Sequence, residues 1–136
     1  MHIMLTSQYE TPSVIAERLV QAIPDLGDEA QDEHRRCAVK DGLTLFLAAL
    51  QRVGQPMRPS NLLPALKDER LMYQLANATG DGKLRSLLDG YRQPDSRGTA
   101  RFDARRFNAT YGAVTYLLRW NLDRRDLNFP SEHAAA

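Results

Sequence analysis

The chain is poor in several features that would mark common protein classes. Its single cysteine, Cys37, cannot form an intramolecular disulfide, which fits a reducing compartment. The longest near-apolar run, residues 43–50, is far short of the roughly 20 residues that cross a bilayer. It reads as buried helix. The opening MHIMLTSQYE lacks the basic-then-apolar order of a secretory signal. No stretch of useful length alternates apolar and polar residues with β-branched enrichment, so no sheet is expected. Internal repeats and low-complexity segments are also missing.

What is present is enough for one ordinary core. The 136 residues, 43% of them apolar, suit a single domain, which would span residues 1–136 with an ordered part from about 11 to 123. The bland Ala134–Ala136 tail and the polar 130–133 stretch suggest a piece cut from a longer chain.

Helix signals recur along the whole length. Thr11 and Pro12 form a cap and first position, followed by Ile15, Leu19 and Ala22 or Ile23 on one face, with Pro24 as the stop. Asp28 caps a long helix to about Val53, which Gly54 ends. In it Asp32 and Arg36 stand four apart and can pair. From Leu43 it is apolar nearly all round, so it belongs in the centre of the fold. Ser60 caps a short helix over 61–67, with Pro64 at its fourth position. Asp68 caps another with Leu71, Met72 and Leu75, and Asp81 a third with Leu84, Leu87, Leu88 and Tyr91. Residues 93–101 read as a polar connector. Asp103 then opens a long helix with Phe107, Tyr111, Val114 and Leu118 on one face, ending near Asp123. The expectation is an all-α, compact irregular bundle of five or six helices, two long and three short.

Catalytic and metal chemistry find little support. His34 and Cys37 are three apart on one helix, but Cys37 opens an apolar stretch and reads as a packed thiol. Glu29, Asp32, Glu33 and His34 would need matching ligands from a second helix, and an acidic first turn explains them more simply. Residues 77–88 imitate a calcium loop at Asn77, Thr79, Asp81 and Gly82, but Leu88 replaces the bidentate Glu. Gly80, Asp81, Gly82 and Lys83 imitate a phosphate loop with the wrong glycine spacing and Leu84 in place of Ser or Thr. No catalytic residue, cofactor site or metal site is assigned, and no enzyme activity is expected of this chain.

Charge is the informative feature. Residues 1–33 hold seven acids and one base, and residues 34–136 hold ten acids and seventeen bases. Arg101, Arg105 and Arg106 form a candidate basic ridge, placed where the helix dipole disfavours bases; it is read either as a partner surface or as a solvated, salt-bridged helix face. Ala76 and Gly80 match part of a helix–turn–helix that would offer Lys83 and Arg85 to DNA, though Asp81 and Ser86 stand at its apolar positions. Asp28, Glu29, Asp32 and Glu33 form a candidate acidic surface for a basic partner.

Residues 10–65 resemble the all-α domain of type IV coupling proteins. The likeness is carried by Glu10-Thr11-Pro12-Ser13-Val14-Ile15-Ala16-Glu17-Arg18-Leu19-Val20, by Ile23-Pro24, and by the long helix with Leu43 to Leu50. Val53-Gly54 and Gln55-Pro56 complete it. Beyond residue 66 only the helical pattern agrees. Those proteins are hexameric, membrane-anchored ATPases of conjugation and secretion, and this domain faces the cytoplasm without touching the membrane. The resemblance implies a non-catalytic recognition domain for a protein substrate, relaxase or adaptor protein, with DNA as a further partner. Any ATPase activity would lie in flanking parts, since no Walker sequence is present. The alternative is a free-standing helical DNA-binding regulator or a phage- or plasmid-borne adaptor.

Overall fold

One long helix organises the molecule, and every other helix packs against it. The computed structural model describes residues 11–24, 27–80 and 82–124. Six helices are present among them: α1 (Pro12–Gln21), α2 (Glu29–Arg52), α3 (Pro59–Lys67), α4 (Glu69–Thr79), α5 (Lys83–Asp89) and α6 (Ala104–Arg124). A small hairpin, β1 (Arg92–Pro94) and β2 (Ala100–Phe102), sits between α5 and α6. The helical bundle expected from the sequence is therefore what forms, with one addition. The stretch expected to be a connector without strands is an antiparallel hairpin, Arg92 facing Phe102 and Pro94 facing Ala100. Strands of three residues are too short to show any alternation in sequence.

The caps are mostly those the residue types dictate. Thr11 Oγ1 accepts from the Val14 N–H at 3.3 Å and Pro12 takes the first helical position. The helix ends at Gln21, before Pro24 can intrude. Asp28 Oδ1 accepts from Gln31 N–H at 3.2 Å, Asp68 Oδ1 from Arg70 N–H at 2.9 Å, and Asp103 Oδ1 from Arg106 N–H at 3.1 Å. Gly54, at φ 80°, turns the chain after α2.

Two caps differ from expectation. Ser60 lies inside α3, which starts at Pro59 with Arg58 as its cap and no side-chain cap bond. Proline presets the helical φ and needs no N–H partner at a first position, so it draws the start back. Pro64 is consequently sixth, not fourth, and it removes the bond an N–H there would give to the Ser60 carbonyl. Gly82 is the N-cap of α5, again without a side-chain bond, and the expected cap Asp81 lies outside the described residues.

Leu43, Phe46, Leu47 and Leu50 of α2 are fully buried beside Leu62, Leu66, Leu84, Leu88, Phe107, Tyr111, Val114 and Leu118. Burying one such side chain contributes roughly 1.5–3 kcal/mol. Leu71, expected in the core, is 38% exposed, while its neighbour Met72 is buried. Gly42 is the point of closest approach, because a Cβ there would overlap the Tyr111 hydroxyl. Among the described residues no helix is long and apolar enough to cross a membrane.

Candidate functional site

The hairpin carries Arg92 and Arg101 on its strands and Arg97 in its turn. Its turn is built by Asp95. Gly98 N–H donates to the Asp95 carbonyl at 2.9 Å, and Asp95 N–H donates to the Thr99 carbonyl at 2.8 Å. Gly98 takes φ 80°, a conformation other residues adopt at a cost. Asp95 Oδ1 accepts from the N–H groups of Arg97 at 2.8 Å and Thr99 at 3.0 Å, and Oδ2 accepts from Arg101 Nε at 2.9 Å. The Arg97 and Thr99 N–H groups, with smaller help from Arg101, hold the Asp95 carboxyl below its usual range.

The hairpin is docked by an aromatic seam. Phe102 meets Tyr73 at 6.3 Å, Tyr91 at 6.3 Å and Phe107 at 5.4 Å, and Phe107 stacks on Tyr111 at 4.5 Å. Tyr73 is its outer end and carries two guanidinium groups, Arg85 at 4.9 Å and Arg92 at 4.8 Å from the ring centroid. The Tyr73 hydroxyl accepts from Arg92 Nε at 2.9 Å and donates to Asp89 Oδ1 at 3.2 Å. That oxygen also lies 3.4 Å from Arg85 Nε and 3.3 Å from Arg92 Nε. Arg92 Nη1 reaches the Ala100 carbonyl at 3.3 Å and so ties β2 to the clamp. Burial raises the Tyr73 hydroxyl pKa, and the bond to Tyr73 raises that of Arg92, so both keep their protons.

The candidate basic residues lie on α5, β2 and the start of α6 and have different surroundings. Lys83 opens α5 and is exposed. Arg85 is held on Tyr73, with Nη1 also donating to Asn77 at 2.9 Å. Arg101 is on β2, not on the helix, and is paired with Asp95. Arg106 lies 5.5 Å over the Tyr91 ring. Arg105 is exposed on the first turn of α6, with no side-chain hydrogen bond or ion pair among the described residues. Over residues 82–106 the chain has seven bases against three acids, so the region stays positive after its internal pairs are counted. Tyr73, Asp89 and Arg92, the clamp that shapes this face, were not singled out as candidates by the sequence. Tyr73 and Asp89 lie sixteen residues apart in the chain, beyond any local pattern.

The acidic candidates divide. Asp28, Glu29 and Glu33 are exposed at the start of α2. Asp32 is only 3% exposed and pairs with Arg35 at 3.0 Å, so it belongs to internal packing and is withdrawn from the partner surface. Next to it, Arg36 Nη2 donates to the Ile23 carbonyl at 3.0 Å, joining α2 to the end of α1. This end of α2 is about 20 Å along the helix from Phe46 and the aromatic seam, so acidic and basic faces are separate.

Cys37 corrects another expectation. It is exposed, not packed, because it points away from the face carrying Val39, Leu43 and Phe46. Its thiol lies 3.7 Å from Glu33 Oε1, and desolvation together with the Glu33 charge raises its pKa. In the calcium-loop imitation, Thr79 is buried and donates to the Ala76 carbonyl at 2.9 Å, while Asn77 serves Arg85. Among the described residues no three His, Cys, Asp or Glu side chains are grouped to hold a metal.

No family model, curated protein or solved structure matches the chain. Its surfaces are therefore the ground for a functional reading.

Proposed function

We propose that the chain is a non-catalytic recognition domain of a conjugative or type IV secretion coupling ATPase, presenting the hairpin and the start of α6 to an anionic partner. One observation carries the reading. Residues 82–106, which span α5, the hairpin and the start of α6, hold seven bases against three acids, and Arg85 of α5 and Arg92 of β1 share the Tyr73 ring. Guanidinium groups suit carboxylates of an adaptor or substrate protein and phosphates of DNA, because the planar fork donates two bonds at once. The coupling-protein part of the reading is supported by the sequence resemblance over residues 10–65, the span that holds α1 and α2.

A second reading, a free-standing helical DNA-binding regulator, is favoured by the α4–α5 junction. Ala76 is buried there and Gly80 turns the chain at φ 72°, as a helix–turn–helix requires. Against it, α5 has only seven residues, and Arg85 is committed to Tyr73, Asp89 and Asn77.

The two readings differ in the size of the native polypeptide. An immunoblot of source cells with serum against this domain should show a band several times larger than 15.4 kDa. A band at the chain's own mass overturns the coupling-ATPase reading and leaves the regulator.

A further inference from the structure

We propose that Asp95 is a resident counterion that keeps Arg101 paired until a nucleic-acid phosphate backbone displaces it, and so tunes how tightly the arginine face binds. The proposal rests on the basic-face reading above and names both a specificity residue and the partner's chemistry.

The two oxygens of Asp95 do separate jobs. Oδ1 is used by the Arg97 and Thr99 N–H groups that make the turn. Oδ2 holds Arg101 through Nε alone, at 2.9 Å. The Arg101 side chain is 74% exposed, and its guanidinium makes no further hydrogen bond among the described residues. An exposed pair of this kind contributes little stability and is readily exchanged for a stronger anion. Asp89 is different, since it joins Tyr73, Arg85 and Arg92 and ties the hairpin to the body. One aspartate is a structural clamp and the other is a displaceable lid on a single arginine.

Phosphate is the favoured anion for two reasons. Six of the seven bases in residues 82–106 are arginines, whose forks match two phosphate oxygens. A nucleic-acid backbone also gains from counterion release, which helps it outcompete one carboxylate.

Asp95→Asn separates the two jobs. The amide oxygen still accepts from both N–H groups, as asparagine does in such turns, while the charge is gone. The probe is a 20-base-pair DNA duplex, followed by fluorescence anisotropy between 50 and 200 mM salt, with amide exchange of Arg97 and Thr99 reporting on the turn. Asp95→Asn should bind about threefold to tenfold tighter at the lowest salt, with a log–log salt slope steeper by about one. Adding Arg101→Ala should cancel that gain, whereas Arg101→Ala alone should change wild-type affinity by less than about twofold. Unchanged affinity in Asp95→Asn with the turn intact overturns the proposal. So does a gain that survives Arg101→Ala. If the turn is lost in Asp95→Asn, the Arg101→Ala variant decides, and a loss as large as that of Arg105→Ala overturns the idea. A larger gain for polyglutamate than for the duplex overturns the choice of phosphate. Failure of the wild type and Asp95→Asn alike to bind the duplex or polyglutamate sinks the basic-face reading itself.

Discussion

Gly42 shows how much one missing methyl group decides at the residue scale. The Tyr111 hydroxyl rests where a Cβ would stand, and desolvation of that buried group, with a smaller effect of the neighbouring Tyr91, raises its pKa. Alanine normally favours a helix interior over glycine by roughly 0.5–1 kcal/mol. Overpacking a filled core costs about 1–3 kcal/mol, so Gly42→Ala should be destabilising by about 1–2 kcal/mol in urea unfolding. Combining it with Tyr111→Phe should recover part of the loss, since the hydroxyl makes the closest contact. The capping residues behave in the opposite way. Thr11, Asp28, Asp68 and Asp103 bond to N–H groups two or three residues on, so their roles are legible in the chain. Gly42 is not legible, because its partner is 69 residues away.

The hairpin is the element that sequence patterns missed, and its stability should depend on pH through Asp95. The carboxyl has a depressed pKa in the folded state, so its contribution is present above the unfolded value of about 3.9. That contribution is lost as pH falls through the folded value. Amide exchange of Arg97 and Thr99, scaled for intrinsic rates, should show protection that is steady at pH 5 and falls in more acidic solution. Protection that stays constant down to pH 2 would show that backbone pairing alone maintains the turn. The clamp of Tyr73, Asp89 and Arg92 should keep the two strands seated while the turn loosens. Helix α3 teaches a related lesson, because two plausible starts compete within three residues. Pro59 prevails over Ser60 since a preset φ sets the first turn before a side-chain cap can act.

Across the whole molecule, net charge says little and its placement says more. The chain carries only +1, yet the region 82–106 holds an excess of bases while Asp28, Glu29 and Glu33 stand at the far end of α2. If the basic face binds a phosphate backbone, affinity should fall steeply with salt. Arg105→Ala with Arg106→Ala should make the log–log slope shallower by about two and weaken duplex binding at 50 mM salt. An unchanged slope would remove those two arginines from the contact. Neither side chain has an ion pair among the described residues, so the double variant should alter unfolding only slightly.

The helical class, most helix ends and the central place of α2 were legible in the residue order, because caps and 3.6-residue periodicity are local and repeat within a turn or two. So was the accumulation of arginines after residue 82. Which polar side chains face outward was set by the packing of the helices. Asp32 turned inward, Cys37 turned outward, and Arg85 and Arg92 were drawn onto Tyr73. The physical reason is the same each time. A side chain's exposure is set by the direction in which packed helices approach, and those contacts join residues far apart in the chain.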